Sequence, residues 1–351
     1  MVSIVVDPAL VMLPPDDASR EDVEAWFERL EIWLNEALTA PFMWLHYVQA
    51  TDLLEANGHF PAFPQLKRLK EAYSLNVNII QLARRINEFF RDETLDLKGH
   101  LEQLDFIIEA QDGSIIVKPE QFITRLPVYI HEDFYPMLAD CCVCKHMDYA
   151  FGQGLYIATL AIDGNTKEIV ISVVVVEAEP NFVRPLDNRI EQRFPLLITP
   201  DDLQPLINVI EMWAKGEQGI MYAISQQYKK DWSGVVATPL TFRLGSRFMA
   251  SVNSRGLDNS EIVLSNIVRA AASVIAGTAK DVPRYKLHHL RRNETADSPQ
   301  RTRESDNAKA WRLMVQQQGA GWRLHYWQIP TPDGSIIEFA NVCKESESEI
   351  F

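Results

Sequence analysis

Short β-branched runs alternate with segments of helical period along the whole chain, and this alternation restricts the possible folds more than any other feature. Residues 2–6 read as a strand that Asp7-Pro8 ends. Ser19 stands where a helix needs a cap, followed by Glu21, Asp22 and Glu24, acids that suit the positive end of a helix dipole. Val23, Trp26, Phe27, Leu30, Trp33 and Leu34 then recur at helical spacing until Pro41. A second strand is expected over 42–48, then a short helix capped by Thr51 or Asp52 and ended by Gly58. Helical patterns follow over 65–73 and 79–90, and a short hairpin is expected over 105–117 around Asp112-Gly113.

In the middle of the chain the pattern predicts a helix over 133–151. Two β-rich runs, 155–162 and 169–176, are joined by Asp163-Gly164-Asn165 and read as a hairpin. Thr199-Pro200 marks a further helix start. Beyond it the sequence predicts a strand within 239–251, a helix over 259–275, a mobile basic loop over 284–306 and a short helix over 308–318. A final hairpin is expected over 322–342. The reading is an α+β fold: an acidic, Rossmann-like αβ unit over 1–128, a larger mixed region over 129–343 with two hairpins, and an acidic tail over 344–351.

Apolar residues make up 47% and charged residues 23%, ordinary for a globular protein. No apolar run approaches the length of a membrane span, so no membrane partner is expected. The first residues lack the basic region of a secretory signal. Three of the four cysteines cluster at Cys141, Cys142 and Cys144, which favours a reducing compartment and makes the cytoplasm the expected location. Charge is uneven. Residues 1–130 hold 11 Lys/Arg against 21 Asp/Glu, whereas residues 231–351 hold 15 against 13, three of those acids falling in the last seven positions. If the chain touches a polyanion, the contact is therefore expected in the C-terminal third. Phosphate loops, dinucleotide fingerprints, nucleophile elbows and His-Glu-x-x-His motifs are absent from the sequence.

Chemistry concentrates in Trp322-Arg323-Leu324-His325-Tyr326-Trp327. On a strand Arg323, His325 and Trp327 share one face. A guanidinium offers paired contacts to phosphate, an imidazole moves protons near neutrality, and an indole stacks on bases. Arg323, His325 and Glu338 are thus the catalytic candidates; Trp327, Arg312, Lys309, Arg291 and Arg292 are the candidates for nucleic-acid contact. The run Gly321–Trp327, with Asp333-Gly334 and Ile337-Glu338-Phe339, resembles the terminal hairpin of RelE/ParE-type toxins. That resemblance implies basic and aromatic side chains acting on messenger RNA. The chain departs from the toxin pattern in ending on an acidic segment, Lys344-Glu345-Ser-Glu347-Ser-Glu349.

Asp7, directly after the first β-run and before a helix, is similar to the opening of PIN-like nucleases. The resemblance implies carboxylates at strand ends holding Mg²⁺ or Mn²⁺, with Asp7 first, Asp52 second and Asp105 or Asp112 third. Cys141 and Cys144 have zinc-knuckle spacing with His146 close by, but the sequence lacks a second ligand pair, and buried structural cysteines are expected instead. The function expected is that of a nucleic-acid-directed protein of bacterial toxin or phage-defence type, a ribonuclease if it is catalytic. The alternative is a non-catalytic interaction subunit of a larger assembly whose acidic N-terminal unit docks a basic protein partner.

Overall fold

A computed structural model describes residues 2–102, 107–111, 113–148, 154–179, 188–236, 238–292, 298–316, 321–332 and 334–351. The chain is α+β and divides into two compact units, Met1–Leu206 and Ile207–Phe351. The division falls near 206 rather than near 128, because strands between 154 and 197 complete the sheet that the first residues begin.

In the first unit that sheet runs in the order β3-β2-β1-β6-β8-β7-β4, with β5 also on β7. The strands are β1 Val2–Val6, β2 Met43–His46, β3 Thr94–Asp96, β4 Ile107–Ala110, β5 Ile116–Lys118, β6 Gly154–Ala158, β7 Glu168–Glu179 and β8 Arg189–Leu197. Neighbours from β3 to β8 pair in parallel, while β7 pairs antiparallel with β8, β4 and β5. All five residues of β1 are buried, as a parallel strand covered on both faces requires. Two expected hairpins are therefore absent among the described residues. β6 lies between β1 and β8, and β7 returns against β8, a strand the sequence reading passed over. Likewise β4 and β5 each pair with β7. Runs of Val and Ile show β-structure but do not name the partner strand.

The expected helices of this unit form near their expected places, while α1, α6 and α7 are additional and α8 starts five residues early. They are α1 Pro8–Val11, α2 Arg20–Ala37, α3 Val48–Ala56, α4 Phe63–Ala72, α5 Ile79–Glu88, α6 Leu97–Glu102, α7 Gln121–Thr124 and α8 Val128–His146. Each apolar residue picked out on α2, from Val23 to Leu34, is buried. Ser19 caps α2 through a capping box, accepting from the Asp22 N–H at 3.1 Å while the Asp22 carboxylate accepts from the Ser19 N–H at 3.1 Å. Ser19→Ala is expected to cost about 1 kcal/mol in urea denaturation, and no change in the midpoint would show that packing alone holds this helix start. Thr51 and Asp52 lie inside α3 instead of capping it; Tyr47 is the cap and gives no side-chain bond.

In the second unit the sheet runs β10-β12-β13-β14-β9, with β11 also on β12. Here β9 is Thr241–Leu244, β10 His288–His289, β11 Thr302–Arg303, β12 Ala308–Gln316, β13 Trp322–Thr331 and β14 Gly334–Lys344. The terminal hairpin forms as expected, β13 against β14. Residues 308–316, expected as a helix, form β12 and pair with β13 from Lys309↔Gln328 to Gln316↔Trp322. The basic stretch expected as a mobile loop supplies β10 and β11, both docked on β12. Helices α9 Val209–Ala214, α10 Gly216–Trp232, α11 Phe248–Asn253 and α12 Glu261–Ile275 complete the unit, and Phe248 packs with Phe339 from one face of the sheet. No helix among the described residues is long and apolar enough to cross a membrane.

Candidate nucleic-acid interface

Strand alternation places Arg323, His325 and Trp327 on one face of β13, as the sequence predicts. Register extends that face sideways. His325 stands between Arg312 of β12 and Asn341 of β14, Arg323 between Met314 and Cys343, and Trp327 between Ala310 and Glu338. This face is not open to solvent: His325 is 0% and Trp327 4% exposed. Residues 345–351 cover it. The Arg323 guanidinium pairs with the Glu345 carboxylate and donates to the Glu345 carbonyl at 2.9 Å. His325 Nδ1 lies 2.9 Å from the Glu349 carbonyl, and the Trp327 indole N–H donates to the Phe351 carbonyl at 2.9 Å. Ile350 packs onto a small core of Leu290, Ala308, Ala310, Trp327 and Ala340.

Cover changes what these groups can do. Burial, with Arg312, Arg323 and Arg301 nearby, pushes the His325 imidazole down to about 4, against the pull of its bond to Glu349. A group with that pKa is neutral at pH 7 and does not relay protons there, which corrects the proton-moving role expected for it. Because Nδ1 meets a carbonyl, it carries the proton, and Nε2 is left 3.3 Å from the Cys343 thiol. Glu338, expected as the acid–base partner, is clamped between two guanidiniums: Arg243 Nε donates to it at 2.7 Å and Arg303 Nη1 pairs with it at 2.5 Å. Although burial opposes them, those bonds hold its carboxyl below the usual range. Arg303 in turn lies 5.0 Å over the Trp327 ring, filling the place where a base would stack.

An open cationic cleft does exist, at the edge of the same sheet. Leu287, His288, His289, Arg291, Trp311 and Arg312 line a space of about 410 Å³. It forms because β10 adds to the outer side of β12, pairing His288 with Arg312 and His289 with Trp311. His289 meets the Trp311 ring edge-on at 4.4 Å, and Trp311 stacks on Tyr326 at 6.4 Å. His288, His289 and Arg291 are exposed. Burial, then the charges of Arg312, Arg323, Arg291 and His289, push His288 down from its ordinary value; burial and Arg323 push Arg312 down. The Arg312 Nε and the Trp311 indole nitrogen are buried with no hydrogen-bond partner among the described residues. Both are donors. Like charges crowded beside idle donors form a place that stabilises an anion.

Of the residues expected to contact nucleic acid, Arg312 and Arg291 meet in this cleft, and Arg292 is exposed beside them. Lys309 is exposed on β12 but does not line the cleft. His288 and His289 also belong to the cleft, brought there by the β10–β12 pairing.

No protein-family model, curated protein or solved structure matches this chain.

Among the described residues the N-terminal carboxylates do not gather as a metal site would need. Asp7 is fully buried at the end of β1, where it caps α1, accepts from the Ala9 N–H at 3.0 Å, pairs with Arg125 and accepts from the Thr159 hydroxyl. Burial pushes its carboxyl up, against Arg125, Thr159 and Ala9. Its oxygens are thus occupied by donors rather than free for a cation, which corrects the solvated or metal-bound role expected for Asp7. Asp52 is exposed on α3, in a separate 250 Å³ pocket with His46, Glu55 and Arg91. Asp96, at the end of β3, accepts from the Gly99 N–H at 2.9 Å. Asp105 and Asp112 lie outside the described residues. Among the described residues no three His, Cys, Asp or Glu side chains form a group able to hold a metal ion. Cys141, Cys142 and Cys144 lie on α8, buried and unbridged, and burial pushes the Cys142 thiol up to about 12.

Proposed function

We propose that the chain is a nucleic-acid-directed protein that binds single-stranded RNA or DNA through the cationic edge of its second sheet. The observation that carries this reading is the cleft that Arg312, Arg291, His288 and His289 line at the edge of β12. A phosphate there would neutralise crowded positive charge and meet the Arg312 guanidinium, while the exposed Arg292 would meet the next phosphate along the strand. The reading is of binding rather than of cleavage. The two side chains expected to move protons, His325 and Glu338, are buried, one neutral and the other held in two ion pairs.

Fluorescence anisotropy with a labelled oligothymidylate at two salt concentrations tests it. Arg312→Ala is expected to weaken binding about tenfold at low salt and to reduce the salt slope by roughly one, as loss of one phosphate contact does. Equal binding by Arg312→Ala, or no binding by the unaltered chain at low salt, would sink the proposal. In that case an interaction-subunit role becomes the better reading.

A further inference from the structure

The segment 345–351 is acidic, yet it lies on one of the most basic surfaces of the second unit. Its contacts have a common chemistry. Arg323 holds the Glu345 carboxylate, and Arg255 holds the Glu347 carboxylate at 2.6 Å. Arg301 donates to the Ser348 carbonyl at 2.9 Å, the Asn341 amide to the Glu349 carbonyl at 3.1 Å, and Trp327 to the Phe351 carbonyl. His325 faces the Glu349 carbonyl as a donor, and Arg247 lies 5.6 Å over the Phe351 ring. The surface under the segment thus presents donors, among them the guanidiniums of Arg323 on β13, of Arg301 just before β11 and of Arg255 after α11, and the segment answers with oxygen acceptors.

This donor face adjoins the open cleft. Arg312 lines the cleft and is the cross-strand neighbour of His325, and the Arg323 charge acts on both Arg312 and His288. Cleft and covered face are one field of positive charge, and the acidic segment lies over part of it.

The way the segment is held permits release. Among the described residues it forms no strand and adds no ladder to β14. Its ion pairs are partly open to water: Glu345 is 55% and Glu347 39% exposed in the side chain, and such pairs contribute little individually. Ile350, packed on the Trp327 cluster, is its main apolar anchor.

From these observations the geometry points to a latent extension of the nucleic-acid surface. The face beneath residues 345–351 binds the same single strand as the cleft, and the segment is a resident acidic competitor that must leave first. This rests on the reading of the cleft as a nucleic-acid site. When the segment lifts, Arg323, Arg301 and Arg255 turn from carboxylates and carbonyls to phosphates, and Trp327 loses one of its two covers. The strand would then run from Arg291 and Arg312 across β13 toward Arg255.

A released variant, Ile350→Ser with Glu345→Gln and Glu347→Gln, tests the inference against the same labelled oligothymidylate. Release itself is read by alkylation of Cys343, which is 1% exposed beneath the segment, with the alkylated site located by mass spectrometry. The expected result is faster Cys343 alkylation, affinity raised about tenfold at low salt and a salt slope steeper by roughly two, as three freed guanidiniums at about 0.7 each on a single strand require. Arg323→Ala added to the released variant should abolish most of that gain. A synthetic peptide of residues 345–351 added to the released variant should compete with the oligonucleotide. Faster Cys343 alkylation with unchanged affinity and slope would overturn the inference, and so would an equal gain from Glu217→Gln with Glu261→Gln, which removes the same charge from exposed helix positions. If that released variant fails to fold, peptide inhibition of the unaltered chain decides, and no competition overturns the inference. The two readings separate cleanly. Binding by the unaltered chain that Arg312→Ala weakens, without gain on release, leaves the cleft standing and removes the extension. Binding only after release supports the extension and refutes the cleft as a sufficient site.

Discussion

Asp7→Ala is expected to destabilise the first unit by roughly 3–5 kcal/mol, the cost of breaking a buried ion pair from one side. Asp7 is 0% exposed. Its carboxylate faces Arg125, whose remaining donors go to the Phe122 and Leu160 carbonyls at 3.0 Å each. Thr159, one residue beyond β6, completes the group. Removing the carboxylate leaves the Thr159 hydroxyl and the Ala9 N–H without their acceptor and the mostly buried Arg125 guanidinium without its counter-charge. Asp7→Asn keeps an acceptor for Ala9 but loses the charge, and about 1.5–3 kcal/mol should go. Asp7→Ala with Arg125→Met should be more stable than Asp7→Ala alone, because the uncompensated guanidinium is then gone. Urea denaturation of the three variants measures this. A loss below about 0.5 kcal/mol for Asp7→Ala would show that water or a counter-ion replaces the carboxylate, and would reopen the site to a functional role.

The second large effect is a dependence of stability on pH that centres on His325. The folded imidazole has its pKa pushed down to about 4, whereas the unfolded side chain titrates near 6.5. Below about pH 6.5 the unfolded chain takes up a proton that the folded chain refuses until the pH approaches about 4. Stability from this group is therefore fully present above 6.5 and lost as the pH falls through the interval, at about 1.4 kcal/mol per unit. At about pH 4.5 the loss should reach roughly 2–3 kcal/mol. Carboxylates titrate in the same range, so the measurement is a difference: chemical denaturation near pH 7.5 and near 4.5 for the unaltered chain and for His325→Gln. Glutamine can still donate to the Glu349 carbonyl but takes up no proton. The unaltered chain should lose more stability over the interval than the variant. Equal losses would mean that His325 is protonated in the fold.

Much of the architecture was legible in residue order. α2 could be read from its capping box and its 3.6-residue apolar repeat, the terminal hairpin from two alternating runs around a Pro-Asp-Gly turn, and the shared face of Arg323, His325 and Trp327 from alternation alone. These are local properties, set by neighbours within a few positions. Partner choice is not local. The Val and Ile runs of β6 and β7 read as a hairpin because short loops join neighbours most often, but β8 takes the place between them. For β12, the apolar positions Leu313, Met314 and Val315 fit a helix as well as a strand, and only the ladders to β13, β10 and β11 decide for a strand.

The candidate site divides in the same way. The sequence by itself determined that basic and aromatic residues concentrate in the C-terminal third and that Arg323, His325 and Trp327 share a face. Tertiary structure decided which of them meet solvent, since exposure depends on segments far apart in the chain. Residues 345–351 fold back over β13 and turn a basic, aromatic face into a buried one, while β10 joins the edge of β12 and gathers His288, His289, Arg291 and Arg312 into an open cleft. The same holds for Asp7: its place after β1 is local, but Arg125 and Thr159 lie more than a hundred residues away, at separations of 118 and 152. Desolvation and partner charge fix what an ionisable group can do, and both are properties of the assembled fold.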